Sequence, residues 1–134
     1  MIREQDVERA RTAIAAAGLD VHDPAEDWLF KAYNDGQLID ILFRLNGEQV
    51  QDAFFERADV LEVLAVRMPV MSSTDLVSTK LRVLGEHYCD FGRLLPVVRA
   101  VREQVDWEAV RRDCADNPYA KAFLYLADEL GLLG

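Results

Sequence analysis

The chain has 134 residues, of which 51% are hydrophobic and 29% are charged, a composition typical of one globular domain and not of a disordered chain. Its 24 acidic residues outnumber its 15 lysines and arginines, so the formal net charge is −9. Because non-specific binding to nucleic acid needs a positive surface, this charge argues against it, while it leaves room for a local basic pocket for phosphate.

The sequence shows neither a targeting segment nor a cysteine pattern typical of a metal site. No apolar run is long enough to cross a membrane, and no charged segment followed by an apolar one marks a signal peptide. Cys89 and Cys114 lie far apart, in no spacing that suits a metal site. We therefore expect a cytoplasmic protein with two reduced thiols and no membrane contact.

Strand signals dominate the first half of the chain. Apolar residues at helical spacing predict a helix over residues 6–18. After this helix, runs of strand-forming residues alternate with turns, and Asn34-Asp35-Gly36 is a strong hairpin signal. The predicted strands cover residues 19–23, 28–33, 36–44 and 60–66, and residues 48–57 are predicted as a helix or a helical loop.

The strand over residues 36–44 carries an acid, Asp40, between two isoleucines. Aspartate is depleted in strands, and an ionised carboxylate is costly wherever both faces of a sheet are covered. Asp40 therefore lies on a solvated face, or it meets a cation or hydrogen-bond donors, or it lines a cleft. The sequence alone leaves these alternatives open.

Helix signals dominate after Val70. Ser72 and Asp75 form a capping-box pattern, in which Asp75 also complements the helix dipole. Pro96 is expected in the first turn of a helix that begins near Leu94. The later predicted N-caps are Asp90, Asp106 and Asn117.

This order of elements predicts a single domain over residues 1–134 of the α/β (α+β) class. We expect a small mixed sheet with a hairpin in a strand-rich half, residues 1–71, and a helical half, residues 72–134. No repeat, low-complexity tract or flexible linker interrupts the chain.

Six segments of the sequence resemble the minimal nucleotidyltransferase-like proteins of bacteria, within the polymerase-β-type nucleotidyltransferase superfamily. Their order and spacing carry the resemblance, which covers nearly the whole chain. The segments are Asp-Val-Glu-Arg-Ala at residues 6–10, Trp-Leu-Phe-Lys-Ala at 28–32, Leu-Ile-Asp-Ile-Leu-Phe-Arg at 38–44, Arg-Met-Pro-Val-Met at 67–71, Asp-Leu-Val-Ser-Thr-Lys-Leu at 75–81 and Phe-Gly-Arg-Leu-Leu at 91–95.

The resemblance implies a site for a divalent metal and a nucleotide. Members of the family hold nucleotide phosphates at a Gly-Ser turn and bind metal through an Asp-x-Asp pair and a third acid on a neighbouring strand. Asp40 matches the third acid, a metal ligand that commonly also acts as general base. Lys80 matches a recurrent family lysine, and we expect it either to bind phosphate or to be a solvated helix lysine. Lys31 has the same two alternatives, and the solvated one is favoured.

The sequence departs from the family pattern because it contains no Gly-Ser turn and no Asp-x-Asp pair. By the resemblance, Met1-Ile2-Arg3-Glu4 matches the segment that follows that pair. We expect a truncated nucleotidyltransferase-like fold that is inactive alone, as a remnant or as half of a split enzyme. Magnesium ions and a nucleoside triphosphate are expected only if the site is completed in trans.

The alternative function is a non-catalytic interaction module, for example in a toxin–antitoxin or defence pair. Under both hypotheses the sheet edge beside Asp40 lacks its usual neighbour and exposes backbone pairing groups. We therefore expect a homo-oligomer or a complex with a complementing protein partner.

Overall fold

A computed structural model describes residues 1–133 and shows an α+β protein with small antiparallel sheets in its N-terminal half and helices in its C-terminal half. The chain divides into two compact units, Met1–Glu56 and Arg57–Gly134. The predicted fold class is confirmed.

The first unit is a three-stranded antiparallel sheet covered on one face by a helix. The strands pair in the order β1-β2-β3, and β2 and β3 are joined by the predicted turn, where Asp35 and Gly36 both have positive φ. Such a two-residue turn matches the twist of the strands it connects. The elements are α1 (Val7–Ala16), β1 (Asp20–His22), β2 (Leu29–Asn34), β3 (Gln37–Leu42), β4 (Arg44–Leu45), β5 (Glu48–Gln49) and α2 (Asp52–Glu56).

The core of the first unit lies between α1 and the sheet. Phe30, Ala32 and Ile41 are buried there and alternate with outward-facing residues along β2 and β3. The apolar face of α1, with Val7 and Ile14, packs against them. This alternation fixes which side chains of the sheet face the solvent.

The described part of the second unit, residues 57–133, is a hairpin followed by four α-helices. Its core contains the fully buried Val110 and Phe123 together with Trp107. Burial raises the pKa of the Cys114 thiol to about 11, so this thiol stays protonated at neutral pH, whereas Cys89 is exposed. The elements are β6 (Asp59–Val63), β7 (Val66–Val70), α3 (Ser73–Arg82), α4 (Phe91–Val101), α5 (Trp107–Asp113) and α6 (Pro118–Glu129).

The predicted mixed sheet is wrong, because within residues 1–133 every strand pair is antiparallel and the strands form three separate sheets. A parallel pair needs a crossover of about a dozen residues or more. The connections here are tight turns, such as Asp35-Gly36 between β2 and β3, or the short loop between His22 and Leu29.

Two other predictions fail at turns. Residues 48–57 begin as β5, which pairs with β4 across Asn46-Gly47, and only Asp52–Glu56 are helical. The strand predicted over residues 60–66 is a hairpin that turns at Leu64 and Ala65, both of which have positive φ. Neither residue is a usual turn former, so the sequence carried no signal for this turn.

Pro96 lies inside α4 and not in its first turn, since the helix starts at Phe91 with Asp90 as its N-cap. A proline ring in a helix clashes with the carbonyl four residues earlier. That residue is Gly92, and because it carries no side chain, its backbone can adjust more easily than that of another residue.

Candidate functional site

Asp40 lies on the outer face of the sheet in the first unit. Alternation places Phe30 and Ile41 in the core, so Lys31 and Asp40, which pair directly across β2 and β3, face away from α1. His22 of β1 pairs with Lys31, which gives a row of three ionisable side chains across the sheet. Lys31 is half-buried and Asp40 is exposed.

The sequence left open whether Asp40 lies on a solvated face, meets a cation or hydrogen-bond donors, or lines a cleft. In the structure its side chain lies on a solvated face. Exposure removes the cost of an unpaired charge, which explains why an acid is tolerated between Ile39 and Ile41. Within residues 1–133, the Asp40 side chain makes no hydrogen bond or ion pair, and the same holds for the Lys31 ammonium group. Both charges are therefore available to a ligand.

The strand that carries Asp40 is an edge strand. In a two-residue hairpin the pair flanking the turn is hydrogen-bonded, so Leu38, Asp40 and Leu42 direct their backbone groups to the open side of β3. The Ile2 amide donates to the Leu42 carbonyl at 2.9 Å on that side. The backbone groups of Leu38 and Asp40 continue the same open edge.

Arg44 holds the N-terminal segment near the end of this edge. Its guanidinium donates to Glu4 at 2.7 Å and to Asp27 at 3.4 Å. The hydrogen bond from Arg44 lowers the pKa of Glu4. Because the pKa of Glu4 is depressed on folding, this contact contributes stability above the unfolded pKa and loses it as pH falls through the folded pKa.

Lys80, the other residue expected to bind phosphate, belongs to α3 in the second unit, whereas Asp40 and Lys31 belong to the first. It is exposed and lines a cavity of about 220 Å³ together with Tyr88, Asp90 and Arg93. Sequence reasoning assigned Asp90 only to a helix cap and did not single out Tyr88 or Arg93. The loop between α3 and α4 brings these residues together, and no sequence motif marks them.

A single carboxylate sets a clear chemical limit on the Asp40 site. Magnesium takes six oxygen ligands, and two-metal catalysis needs carboxylates that bridge both ions. The described residues contain no group of three or more histidine, cysteine or acidic side chains placed to hold a metal ion. Asp40 can supply one ligand, and Lys31 can supply a positive charge beside it.

No helix in residues 1–133 combines the length and the apolar character needed to span a membrane. Comparison of the chain with family models, curated proteins and solved structures finds no match. The resemblance to the nucleotidyltransferases therefore stays a prediction, carried by the sequence segments quoted for it.

Proposed function

We propose that this chain is one half of a nucleoside-monophosphate transferase of nucleotidyltransferase fold, inactive alone and completed by a partner protein. One observation carries the proposal: an unpaired carboxylate, Asp40, lies on an open edge strand, directly across from the unpaired ammonium group of Lys31 on the central strand. The sequence segments that resemble the family supply the reaction class.

In the completed enzyme, a hydroxyl or similar acceptor would bond to the α-phosphorus of a nucleoside triphosphate, so that the nucleoside monophosphate is transferred and pyrophosphate leaves. Asp40 serves as metal ligand or as the base that accepts the acceptor's proton. Lys31, which faces Asp40 across the sheet, can act on phosphate as a point charge, and Lys80 of the second unit is a separate candidate for phosphate by the resemblance. Magnesium, where bound, would take Asp40 as one ligand and would need its other oxygen ligands from the partner and the substrate phosphates.

The open edge explains how a partner completes the site. A strand added beside β3 would pair with the backbone groups of Leu38 and Asp40. A residue directly opposite Asp40 would have its Cβ atom about 4.5–5.5 Å from that of Asp40. Carboxylates on the added strand would therefore come close enough to Asp40 to share a metal ion with it.

A transfer assay tests this proposal. The purified chain is incubated with magnesium and α-labelled nucleoside triphosphates, alone or with an extract of its native cells from which its own gene has been deleted. We expect no transfer by the chain alone, and transfer that appears when the extract is added to wild-type chain but not to Asp40→Asn. Equal labelling with wild type and Asp40→Asn would contradict the proposal.

A second candidate function, a self-associating interaction module, is favoured by the hairpin β6–β7. Its five facing pairs place Leu61, Val63, Val66 and Met68 on one face, and all four are exposed. Leu64 at the tip is 96% exposed. A two-stranded hairpin with exposed apolar residues is marginally stable by itself and invites a partner.

The two edges of this hairpin differ, and the difference favours a second copy of the chain as partner. Val63 and Val66 flank a two-residue turn, so the pair Val60–Pro69 is a non-hydrogen-bonded one. The nitrogen of Pro69 therefore faces the outer edge of β7 and blocks it. Only the β6 edge is open, so edge pairing closes at two copies instead of growing into a fibre.

A symmetric antiparallel pairing of two β6 strands also suits their charges. When Leu61 faces its own copy, Val60 faces Glu62, and no like charges lie directly opposite each other. Asp59 then faces Val63. This register adds backbone hydrogen bonds without a charge penalty at any facing pair.

Substitution of Val60 tests the dimer. Val60→Pro removes the outward N–H of β6 and leaves the hairpin's own hydrogen bonds intact, whereas Val60→Ala keeps that N–H. Light scattering after size exclusion is expected to show dimers for wild type and Val60→Ala, and monomers for Val60→Pro. Monomeric wild type at high concentration, or dimeric Val60→Pro, would exclude the β6 interface.

A further inference from the structure

A mostly apolar cavity of about 400 Å³ lies in the first unit, between the end of β3 and the small hairpin of β4 and β5. An exposed indole and two leucine side chains supply most of its apolar surface. Pockets for small molecules occupy roughly 300–1,000 Å³, so this cavity is large enough for one. The lining residues are Trp28, Leu42, Arg44, Leu45, Asn46 and Gly47.

A β-bulge fixes the backbone of Trp28 at this cavity. The Trp28 carbonyl accepts hydrogen bonds from two successive amides, those of Phe43 at 3.0 Å and Arg44 at 3.2 Å. Two residues of one strand thus lie opposite a single residue of the other, which is the pattern of a bulge. Because bulges re-aim side chains and are over-represented beside functional sites, this one marks Trp28 as a candidate ligand contact.

The indole of Trp28 makes no polar or ring contact of its own within residues 1–133. It is 44% exposed, and its N–H donates no hydrogen bond. The two cations that lie over aromatic rings in the same residues contact Phe55 and Phe30 instead. The ring of Trp28 therefore offers a free π face to a ligand.

The charges beside the cavity argue against an anion. Among the described residues that line it, Arg44 is the one charged side chain, and its Nη2 donates to Glu4 at 2.7 Å and its Nη1 to Asp27 at 3.4 Å. With both terminal nitrogens engaged by carboxylates, the guanidinium is not free for a two-point contact with an anion. Two carboxylates and one guanidinium sum to −1, and the whole chain carries −9. The electrostatics therefore favour a cation.

A cation that also carries apolar surface suits both features of the cavity. Tryptophan attracts a cation over its ring more strongly than the other aromatic side chains do, and alkylated ammonium groups are typical ligands of aromatic sites. Alkyl groups also gain from burial against leucine, whereas a hydrated inorganic ion does not. We propose that this cavity binds a small alkylated ammonium compound as a free solute, with its cationic head over the Trp28 indole and its alkyl groups against Leu42 and Leu45. The Asp27 carboxylate supplies the opposite charge.

This proposal does not depend on the proposed transferase activity, because neither Asp40 nor Lys31 lines the cavity. Asp40→Asn is therefore expected to leave the affinity for an ammonium compound unchanged, although it is expected to abolish transfer. The two proposals can thus fail separately.

A titration with choline, compared with dimethylbutanol, tests the site. In dimethylbutanol a carbon atom replaces the charged nitrogen of choline, so the two molecules share a shape and differ in charge. The chain contains two tryptophans, and we expect choline to shift the indole N–H signal of Trp28 alone, because Trp107 is buried and its Nε1 donates to the Arg102 carbonyl at 3.2 Å. We expect choline to bind about tenfold more tightly than dimethylbutanol.

Variants separate the contribution of the ring from that of the charge. Trp28→Leu is expected to weaken choline binding about tenfold, and Trp28→Phe less, because a phenyl ring attracts a cation more weakly than an indole. Asp27→Asn is expected to weaken choline binding about threefold and to leave dimethylbutanol binding unchanged. Asp35→Asn is the matched control, because Asp35 is also exposed but follows the opposite end of β2.

Four outcomes would overturn the proposal. They are a Trp28 signal that choline does not shift, equal affinities of the wild type for choline and dimethylbutanol, unchanged choline binding in Trp28→Leu, and equal losses in Asp27→Asn and Asp35→Asn. A trimethyllysine peptide that binds more tightly than choline would contradict a free solute as the ligand.

Discussion

Replacing Asn117 by alanine is expected to destabilise the helical unit by about 2–4 kcal/mol. Its Oδ1 accepts hydrogen bonds from the amides of Tyr119 and Ala120, at 2.9 and 3.1 Å, and so caps α6. Its Nδ2 donates to the carbonyls of Leu81 and Arg82 at the end of α3 and, at 2.9 Å, to the Leu84 carbonyl just beyond it. One side chain thus satisfies free amide groups at the start of α6 and free carbonyl groups at the end of α3.

Aspartate at this position separates the two roles. Aspartate caps helices about as well as asparagine, so Asn117→Asp would be nearly neutral if capping α6 were the only role. However, a carboxylate cannot donate to the carbonyls of Arg82 and Leu84, and it would repel them. We expect Asn117→Asp to cost at least as much as Asn117→Ala in urea unfolding, and a neutral Asn117→Asp would show that the link to α3 contributes nothing.

Replacing Asp75 by asparagine is expected to cost about 2–3 kcal/mol. The Asp75 carboxylate is buried and accepts from Arg57 through Nε at 3.0 Å and through Nη2 at 2.7 Å. The Ser72 hydroxyl adds a hydrogen bond at 2.9 Å. The bidentate ion pair between Arg57 and Asp75 links the segment just before β6 to the first turn of α3.

Asp106→Asn is the matched control for Asp75→Asn. Asp106 also begins a helix, where its side chain accepts from the Ala109 amide at 3.0 Å, but it is exposed and asparagine caps equally well. We expect the free energy of unfolding of Asp106→Asn to stay within about 0.5 kcal/mol of that of the wild type. Equal losses in Asp75→Asn and Asp106→Asn would mean that the pair with Arg57 adds no stability.

Features encoded by neighbouring residues could be predicted from the sequence. The caps Ser72, Asp90, Asp106 and Asn117 and the turn at Asp35-Gly36 use local hydrogen bonds and local backbone geometry. The pairing of Lys31 with Asp40 also follows from that turn, since residues equally distant from a two-residue loop face each other.

Features that depend on the tertiary structure could not be predicted. Asn117 was assigned only to its own helix, because nothing in its neighbourhood indicates that Leu84 lies within reach. Asp75 was assigned to the dipole of α3, whereas its partner Arg57 lies 18 residues earlier in the chain. The turn at Leu64-Ala65 lacks the residues that usually adopt positive φ, so a hairpin was read as one strand.

The central claim is that Asp40 is a free carboxylate able to bind a divalent metal. Paramagnetic broadening of amide signals by Mn²⁺ in the presence of a nucleoside triphosphate tests it directly, because it detects weak binding in the isolated chain. The account predicts that amides around Lys31 and Asp40 broaden first, and that this broadening persists in Asp20→Asn but disappears in Asp40→Asn. Identical broadening in wild type and Asp40→Asn would contradict it.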